Sequence, residues 1–312
     1  MTAADLRSRL GPDLGALVTT VGVPLTALTE ITGLPSEVLS RATFRLAFAD
    51  GRVVKGRRFG GAGAAARMVD IARALALPRL PRVLARRGVA VLKEWIAGSS
   101  LDASAATPHL LRSCGALLAA IHRVPAGDGA WTAGALPLRD RAAATVAGLA
   151  RLEALGCLTA GEARRLRKLV EANAPGTAEL GFIHRDFCAE NIVLGPGGEP
   201  YVVDNETLAY DAYDFDLART RYRWPMGAAA WAAFEEGYGV CRDLGPYRAH
   251  ATWWAVAVLV EAALFRHRAR APRAMAPVEH LRALFATGRI VAPASRAGPA
   301  GRLGSRGSRA PC

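Results

Sequence analysis

The 312-residue sequence predicts an α+β protein of two lobes, a small strand-rich lobe followed by a larger, mainly helical one. Three observations carry this expectation. Short extended apolar runs broken by turn residues fill Leu25 to Arg58, the apolar period turns helical beyond Leu101, and Gly98-Ser99-Ser100 reads as a linker between the two patterns. The expected division is residues 1–98, residues 99–289 and a basic tail, 290–312, whose Ala/Gly/Pro/Ser/Arg composition predicts disorder.

The elements follow in order. Thr43 to Phe48 alternates in part, Asp50-Gly51 supplies a hairpin turn, and Arg52-Val53-Val54-Lys55 resumes an extended run. An Ala-rich segment from Ala64 to Leu77 sets Met68, Ile71 and Leu75 at helical spacing and stops at Pro78. Val89-Ala90-Val91-Leu92 is another short strand. Pro108 to His122 then places Leu111, Cys114, Leu118 and Ile121 on one helical face. Further helices are predicted over 139–155, 160–173, 215–223, 227–238 and 247–268, with short strands at 182–183, 192–194 and 201–203.

Composition limits the function classes. At 51% hydrophobic and 21% charged the chain buries a core without disulfides or metals. The net charge of +13 is lopsided: from Arg266 to Cys312 there are ten Arg and one acid, leaving the rest of the chain nearly balanced. That tail lacks aromatic interleaving for base stacking, so a solvated tail is expected and no dedicated nucleic-acid binding. Five unpaired-looking, widely spaced Cys suggest neither a disulfide framework nor a zinc site. Met1 to Leu10 has no apolar signal-peptide core, and Thr252 to Phe265 is too short to span a bilayer; a cytoplasmic protein with no membrane association is expected. Only three basic residues are Lys (Lys55, Lys93, Lys168), so a Lys at a motif position is informative.

The chemistry concentrates in His184-Arg185-Asp186-Phe187-Cys188-Ala189-Glu190-Asn191, followed by a strand, a Gly195-Pro196-Gly197-Gly198 turn, a second strand and Asp204-Asn205-Glu206. Mg²⁺ takes oxygen ligands, one or two carboxylates joining nucleotide phosphates and waters. The hairpin brings Asn191 and Asp204 to one end of adjacent strands, and Asp186 sits on the approaching loop, ready to accept a hydroxyl proton.

His184-x-Asp186-x-x-x-x-Asn191 with Asp204 downstream resembles the protein-kinase-like fold, and its context resembles the small-molecule branch, the aminoglycoside and choline phosphotransferases. Leu92-Lys93-Glu94-Trp95-Ile96-Ala97-Gly98 is similar to that family's interlobe linker, Ile121-His122 to its Leu-His, and Asp216-Leu217-Ala218 to its Asp-Leu-Ala. The resemblance implies an ATP- and Mg²⁺-dependent phosphotransferase acting on a hydroxyl of a small molecule. Asp186 would then orient the acceptor and take its proton. Asn191 and Asp204 would hold Mg²⁺, with Glu206 either adding a metal oxygen or facing solvent. Lys55 would reach the α/β-phosphates, and backbone groups near Glu94 and Ile96 would meet the adenine edge. His184 and Asp216 would brace the catalytic loop.

Several residues depart from the family pattern. The helix before Pro78 lacks the family's Glu; Asp70 is the acid available there to orient Lys55, or it is a surface carboxylate. Ile31-Thr32-Gly33-Leu34-Pro35-Ser36-Glu37 is poor in Gly for a phosphate cradle. A nucleotide-binding regulator is therefore one alternative; a protein kinase is another, opposed by the short Asp204–Asp216 segment. The acceptor stays open. Ten of the twelve Trp and Tyr lie beyond Pro200 as core or as an aromatic wall. Asp211, Asp214, Glu235 and Glu236 could receive amines, while Arg219, Arg221 and Arg223 could equally favour an anion. Oligomeric state is not encoded legibly.

Overall fold

The computed structural model describes residues 3–32, 41–127, 129, 131–132, 135–269 and 275–287. Residues 33–37 of the Gly-poor loop and the tail from 290 lie outside the described residues.

The first lobe is a five-stranded antiparallel sheet in the order β1-β2-β3-β5-β4, from β1 (Leu25–Glu30), β2 (Ala42–Phe48), β3 (Val53–Arg58), β4 (Val83–Arg87) and β5 (Ala90–Glu94). Successive side chains in a strand point to opposite faces, and this sheet uses both. Phe44, Leu46 and Phe48 of β2, Val54 of β3 and Leu92 of β5 face α1 (Ala3–Thr20), packing on Leu10, Leu14, Leu17 and Val18. The alternate residues, Thr43, Lys55, Arg57 and Lys93, turn to the other face, which α2 (Ala62–Leu75) covers in part through Ala65, Met68 and Val69 on Val91. Helix α1 has no counterpart in the sequence prediction. Its pattern is interrupted by Gly11 (φ 74°) and Pro12, which break the helical conformation inside it.

The linker pairs with the second lobe. β6 (Ser99–Ser100) runs antiparallel to β8 (Ile192–Leu194), which pairs with β9 (Pro200–Val202). Gly98 sits at φ 148°, and a Cβ there would stand 2.0 Å from the Leu194 carbonyl oxygen, so only glycine lets the linker lie against the hairpin.

The second lobe is helical: α3 (Pro108–Arg123), α4 (Leu138–Ala154), α5 (Ala160–Ala172), α6 (Tyr213–Arg223), α7 (Ala228–Gly239), α8 (Gly245–Arg268) and α9 (Ala276–Thr287), with β7 (Leu180–Ile183) paired to β10 (Ala209–Ala212). Thr107 caps α3, and a Thr159/Glu162 capping box starts α5. Helices α3 and α7 meet at two glycines. A Cβ on Gly115 would lie 2.0 Å from the Phe234 carbonyl oxygen, and one on Gly237 2.0 Å from that of Arg112. Trp224, Trp231, Trp253 and Trp254 are all buried in this core, so these four build packing and not a ligand wall. Among the described residues no helix is long and apolar enough to cross a membrane.

Candidate active site

The loop between β7 and β8 carries His184, Asp186 and Asn191, and a single buried carboxylate fixes its start. Asp216, fully buried on α6, accepts from the backbone N–H groups of His184 (2.7 Å) and Arg185 (2.7 Å) and faces His122 Nε2 at 3.2 Å. A carboxylate only accepts, so Nε2 carries the proton and Nδ1 is left to accept from the Tyr238 hydroxyl at 2.8 Å. Burial works against the Asp216 charge, but the hydrogen bonds and neighbouring imidazoles outweigh it and hold the carboxyl below its usual range. Burial pushes His122 down, toward the neutral ring. His184, also buried, puts Nε2 3.2 Å from the Asn205 side-chain amide, and its carbonyl accepts from Thr207 Oγ1 at 2.8 Å. Arg185 (φ 63°) and Asp204 (φ 59°) are two of three non-glycine residues with positive φ among the described residues. Such conformations concentrate where surrounding contacts enforce them, often at functional sites.

Asn191 Nδ2 donates to both the backbone oxygen (2.8 Å) and Oδ2 (3.1 Å) of Asp186. Among the described residues its amide oxygen accepts no hydrogen bond. The Val203 N–H donates to the Asn191 carbonyl at 2.8 Å, continuing the β8–β9 ladder, so Asn191 and Asp204 emerge at the same end of the hairpin. Asn191 and Asp204 thus share one end of the hairpin, and Asp186 is joined to Asn191 directly.

The sheet face meets this edge through Lys55, whose ammonium pairs with Asp204 Oδ1 and lies 3.1 Å from Glu206 Oε1. Lys93, opposite Lys55 in the β3–β5 register, has no exposed surface and comes within 3.6 Å of the same Glu206 oxygen. Arg57 adds a third cation, 4.0 Å from Glu206 Oε2 and hydrogen-bonded to Thr43 at 2.6 Å. Desolvation opposes the Glu206 charge, yet Lys55, Lys93 and Arg57 together hold its carboxyl well below the ordinary range. Burial also opposes the Lys55 charge, and Glu206 and Asp204 overcome it, raising the ammonium. For Lys93 burial wins and the value falls.

Two expectations need revision here. Asp70 is not the partner of Lys55: it is exposed on the outer side of α2, whose inner face is spent on Met68, Val69 and Ile71, and the carboxylates at Lys55 come from Asp204 and Glu206. Glu206 does not face solvent; its side chain is 4% exposed and turned toward the lysines. In the linker, Glu94 and Ile96 are half-buried, Glu94 receives Arg82, and the Ile96 N–H and C=O have no hydrogen-bond partner among the described residues.

On the other side of Asp186 stand arginines that the sequence could not place. Arg223 Nε donates to Asp186 Oδ1 at 2.9 Å. Of the acids the sequence offers to an amine, Asp211 is buried against Arg141, Glu235 pairs with Arg248 and Glu236 with Arg112.

The chain matches the sequence profile of the phosphotransferase enzyme family over residues 30–253. No curated protein sequence matches it. Among solved structures it is similar to a choline/ethanolamine kinase family protein from Mesorhizobium loti (TM-score 0.63, 18% identity, 92% of this chain and 96% of that one). A macrolide 2'-phosphotransferase from Brachybacterium faecium is also similar (TM-score 0.62, 19% identity, 88% and 98%). So is an aminoglycoside phosphotransferase from Alicyclobacillus acidocaldarius (TM-score 0.55, 14% identity, 78% and 86%). At these identities the likenesses establish the kinase-like fold. The profile match spans well over half the chain and takes in Lys55, the Asp186 loop and the Asp204 hairpin, so the chain belongs to the phosphotransferase enzyme family.

Proposed function

We propose that the protein transfers the γ-phosphoryl group of ATP to a hydroxyl of a small molecule, with residues 1–98 holding the nucleotide and 99–289 the acceptor. The observation that carries the reading is the convergence of Asn191 and Asp204 at one hairpin end, with Asp186 hydrogen-bonded to Asn191 and Lys55 paired to Asp204. The donor set suits a hard cation: an amide oxygen without a hydrogen-bond partner among the described residues and a half-exposed carboxylate, both oxygens, as Mg²⁺ requires. When bound there, Mg²⁺ supplies neutralisation of charge on the phosphates.

Lys55 is the point charge for the nonbridging phosphate oxygens. It is aimed by Glu206, which in this reading does the work of the absent helix acid and not that of a metal ligand. The Ile96 peptide, with N–H and C=O both available, offers a donor and an acceptor to the adenine edge. Asp186 orients the acceptor hydroxyl and takes its proton, help worth about 10²–10⁴ in rate. Asp216 and His184 position that loop. Supply of ATP to such an enzyme fits a cytoplasmic location.

Purified protein with Mg-ATP should release ADP in the presence of a suitable hydroxylated acceptor. Asp186→Asn and Asp204→Ala should abolish that release while circular dichroism and the melting transition persist. Undiminished turnover by Asp186→Asn would falsify the assignment of the base.

A further inference from the structure

The charges on the acceptor side of Asp186 are unevenly shared. Arg219 and Arg223 are four residues apart on α6, so both guanidinium groups leave one face of the helix. Arg223 Nε donates to Asp186 Oδ1 at 2.9 Å and its Nη2 to Glu190 at 3.1 Å. Arg219 places Nη2 4.0 Å from the same Asp186 oxygen and Nη1 3.8 Å from Glu261. Arg185, from the catalytic loop itself, takes Glu261 at 2.8 Å. Three arginines therefore share two carboxylates once Asp186 is given to the acceptor hydroxyl. Arg219 Nε is buried with no hydrogen-bond partner among the described residues, while its side chain as a whole keeps 20% exposure beside Asp186.

Resting on the phosphotransferase reading above, we infer that the acceptor carries, beside its reactive hydroxyl, a carboxylate or phosphate group that Arg219 and Arg223 receive. An ammonium acceptor would meet guanidinium groups here, and both nearby carboxylates, Glu190 and Glu261, are already held by arginine. The planar fork of Arg matches the two oxygens of an oxyanion in a way a point charge does not. Such a group also gives Arg223 an alternative to Asp186 Oδ1, the oxygen to which its Nε donates. In the transfer, the acceptor oxygen forms a bond to the γ-phosphorus. The bond from that phosphorus to the β,γ-bridging oxygen breaks, its electron pair leaves with ADP, and the hydroxyl proton passes to Asp186.

The test measures ADP release by the full chain with Mg-ATP against acceptor pairs sharing a skeleton: glycerate with glycerol, and a sugar phosphate with its parent sugar. Choline and an aminoglycoside are run as cationic members. The expected result is a kcat/KM at least about tenfold higher for the oxyanion member of a pair. Turnover of the hydroxy acid alone or the sugar phosphate alone identifies which anion is used. Arg219→Gln should then raise the KM for that acceptor about tenfold or more, with Mg-ATP affinity and the melting transition unchanged. A merely structural Arg219 would shift all three together, which overturns the assignment. Turnover confined to neutral or cationic members also overturns it, and leaves the phosphotransferase reading standing. Mg-ATP binding with no turnover of any member overturns it as well. Failure to bind Mg-ATP at all, measured with a fluorescent nucleotide, removes both readings.

Discussion

Lys55 Nζ lies 3.1 Å from Glu206 Oε1, and this contact joins the Lys55–Asp204 and Arg57–Glu206 pairs in tying strand β3 to the turn that carries both acids. In the arrangement the sequence pattern resembles, an acid on the N-lobe helix would steer the lysine. Here that helix is occupied with packing, and the acid arrives two residues after Asp204 on the same turn. Aim of the lysine and placement of the Asp204 turn are therefore coupled through Glu206. Lys93, cross-strand from Lys55, closes the cluster from the linker side.

Glu206→Gln should be far more damaging than Lys93→Met. The first strips the buried Lys93 and Arg57 of their carboxylate and leaves Lys55 with Asp204 alone, and breaking a buried pair from one side costs about 3–5 kcal/mol. The second replaces a buried cation by an apolar side chain of similar length and leaves Glu206 with Lys55. Urea unfolding of the two variants and of the double variant forms a cycle whose coupling should be about 1 kcal/mol or more. Equal losses for the two single variants would show that Glu206 does not organise the cluster.

The Asp186 loop and the hairpin were legible in the sequence because Asp186, Asn191 and Asp204 each stand at a spacing that few other sequences reproduce. Helices α3 to α8 of the second lobe were legible from their apolar period, whereas α9 (Ala276–Thr287) was not predicted. Helix α1 was not, since Gly11 and Pro12 break its pattern and its purpose lies in covering the sheet face opposite Lys55 and Lys93. Strands β4 and β10 escaped because β4 is largely Arg-rich and β10 only four residues long. The role of Glu206 was hidden for another reason: it depends on the β3–β5 register, which no local pattern fixes. One signal was present. Of three lysines in the whole chain, two face that carboxylate.

Asp216→Asn should cost both stability and turnover. The native carboxylate accepts from two backbone N–H groups and His122, and an amide with the same outline turns a donor toward at least one of them. Hydrogen bonds to charged groups are worth about 1.5–3 kcal/mol each, so a loss of about 3 kcal/mol in unfolding free energy is expected. Because Asp216 touches the loop and not the reacting atoms, kcat should fall with little change in the affinity for Mg-ATP. A variant as stable and active as the parent would remove Asp216 from the positioning role.

The α3–α7 contact makes a purely structural prediction. Gly115→Val forces atoms into space where a Cβ alone would already lie 2.0 Å from a backbone oxygen of the facing helix. Backbone cannot yield as a flexible side chain does, so the cost should reach or exceed the about 1–3 kcal/mol typical of overpacking. Gly239→Ala, on the same α7 but with open space at its Cβ, should be close to neutral or stabilising. Thermal unfolding of the pair separates close helix approach from mere loss of a glycine.

Asp214, in the first turn of α6, offers a pH-dependent test of the fold. Burial, reinforced by Glu179, pushes its carboxyl up from 3.8 to about 6. A raised carboxyl means that the folded state binds its proton more tightly than the unfolded chain does. Above pH 6 the group is ionised in both states and the folded protein carries the cost of a buried charge; as pH falls from 6 toward 4 that cost disappears. Asp214→Asn removes the charge at every pH. The variant should therefore be more stable than the parent at pH 8, by on the order of 1–3 kcal/mol at about 1.4 kcal/mol per pKa unit, and the difference should shrink to nothing near pH 4. Denaturant melts of both proteins at pH 8, 6 and 4 check the sign directly, and a gain that is the same at all three values would show that the charge of Asp214 is not its source.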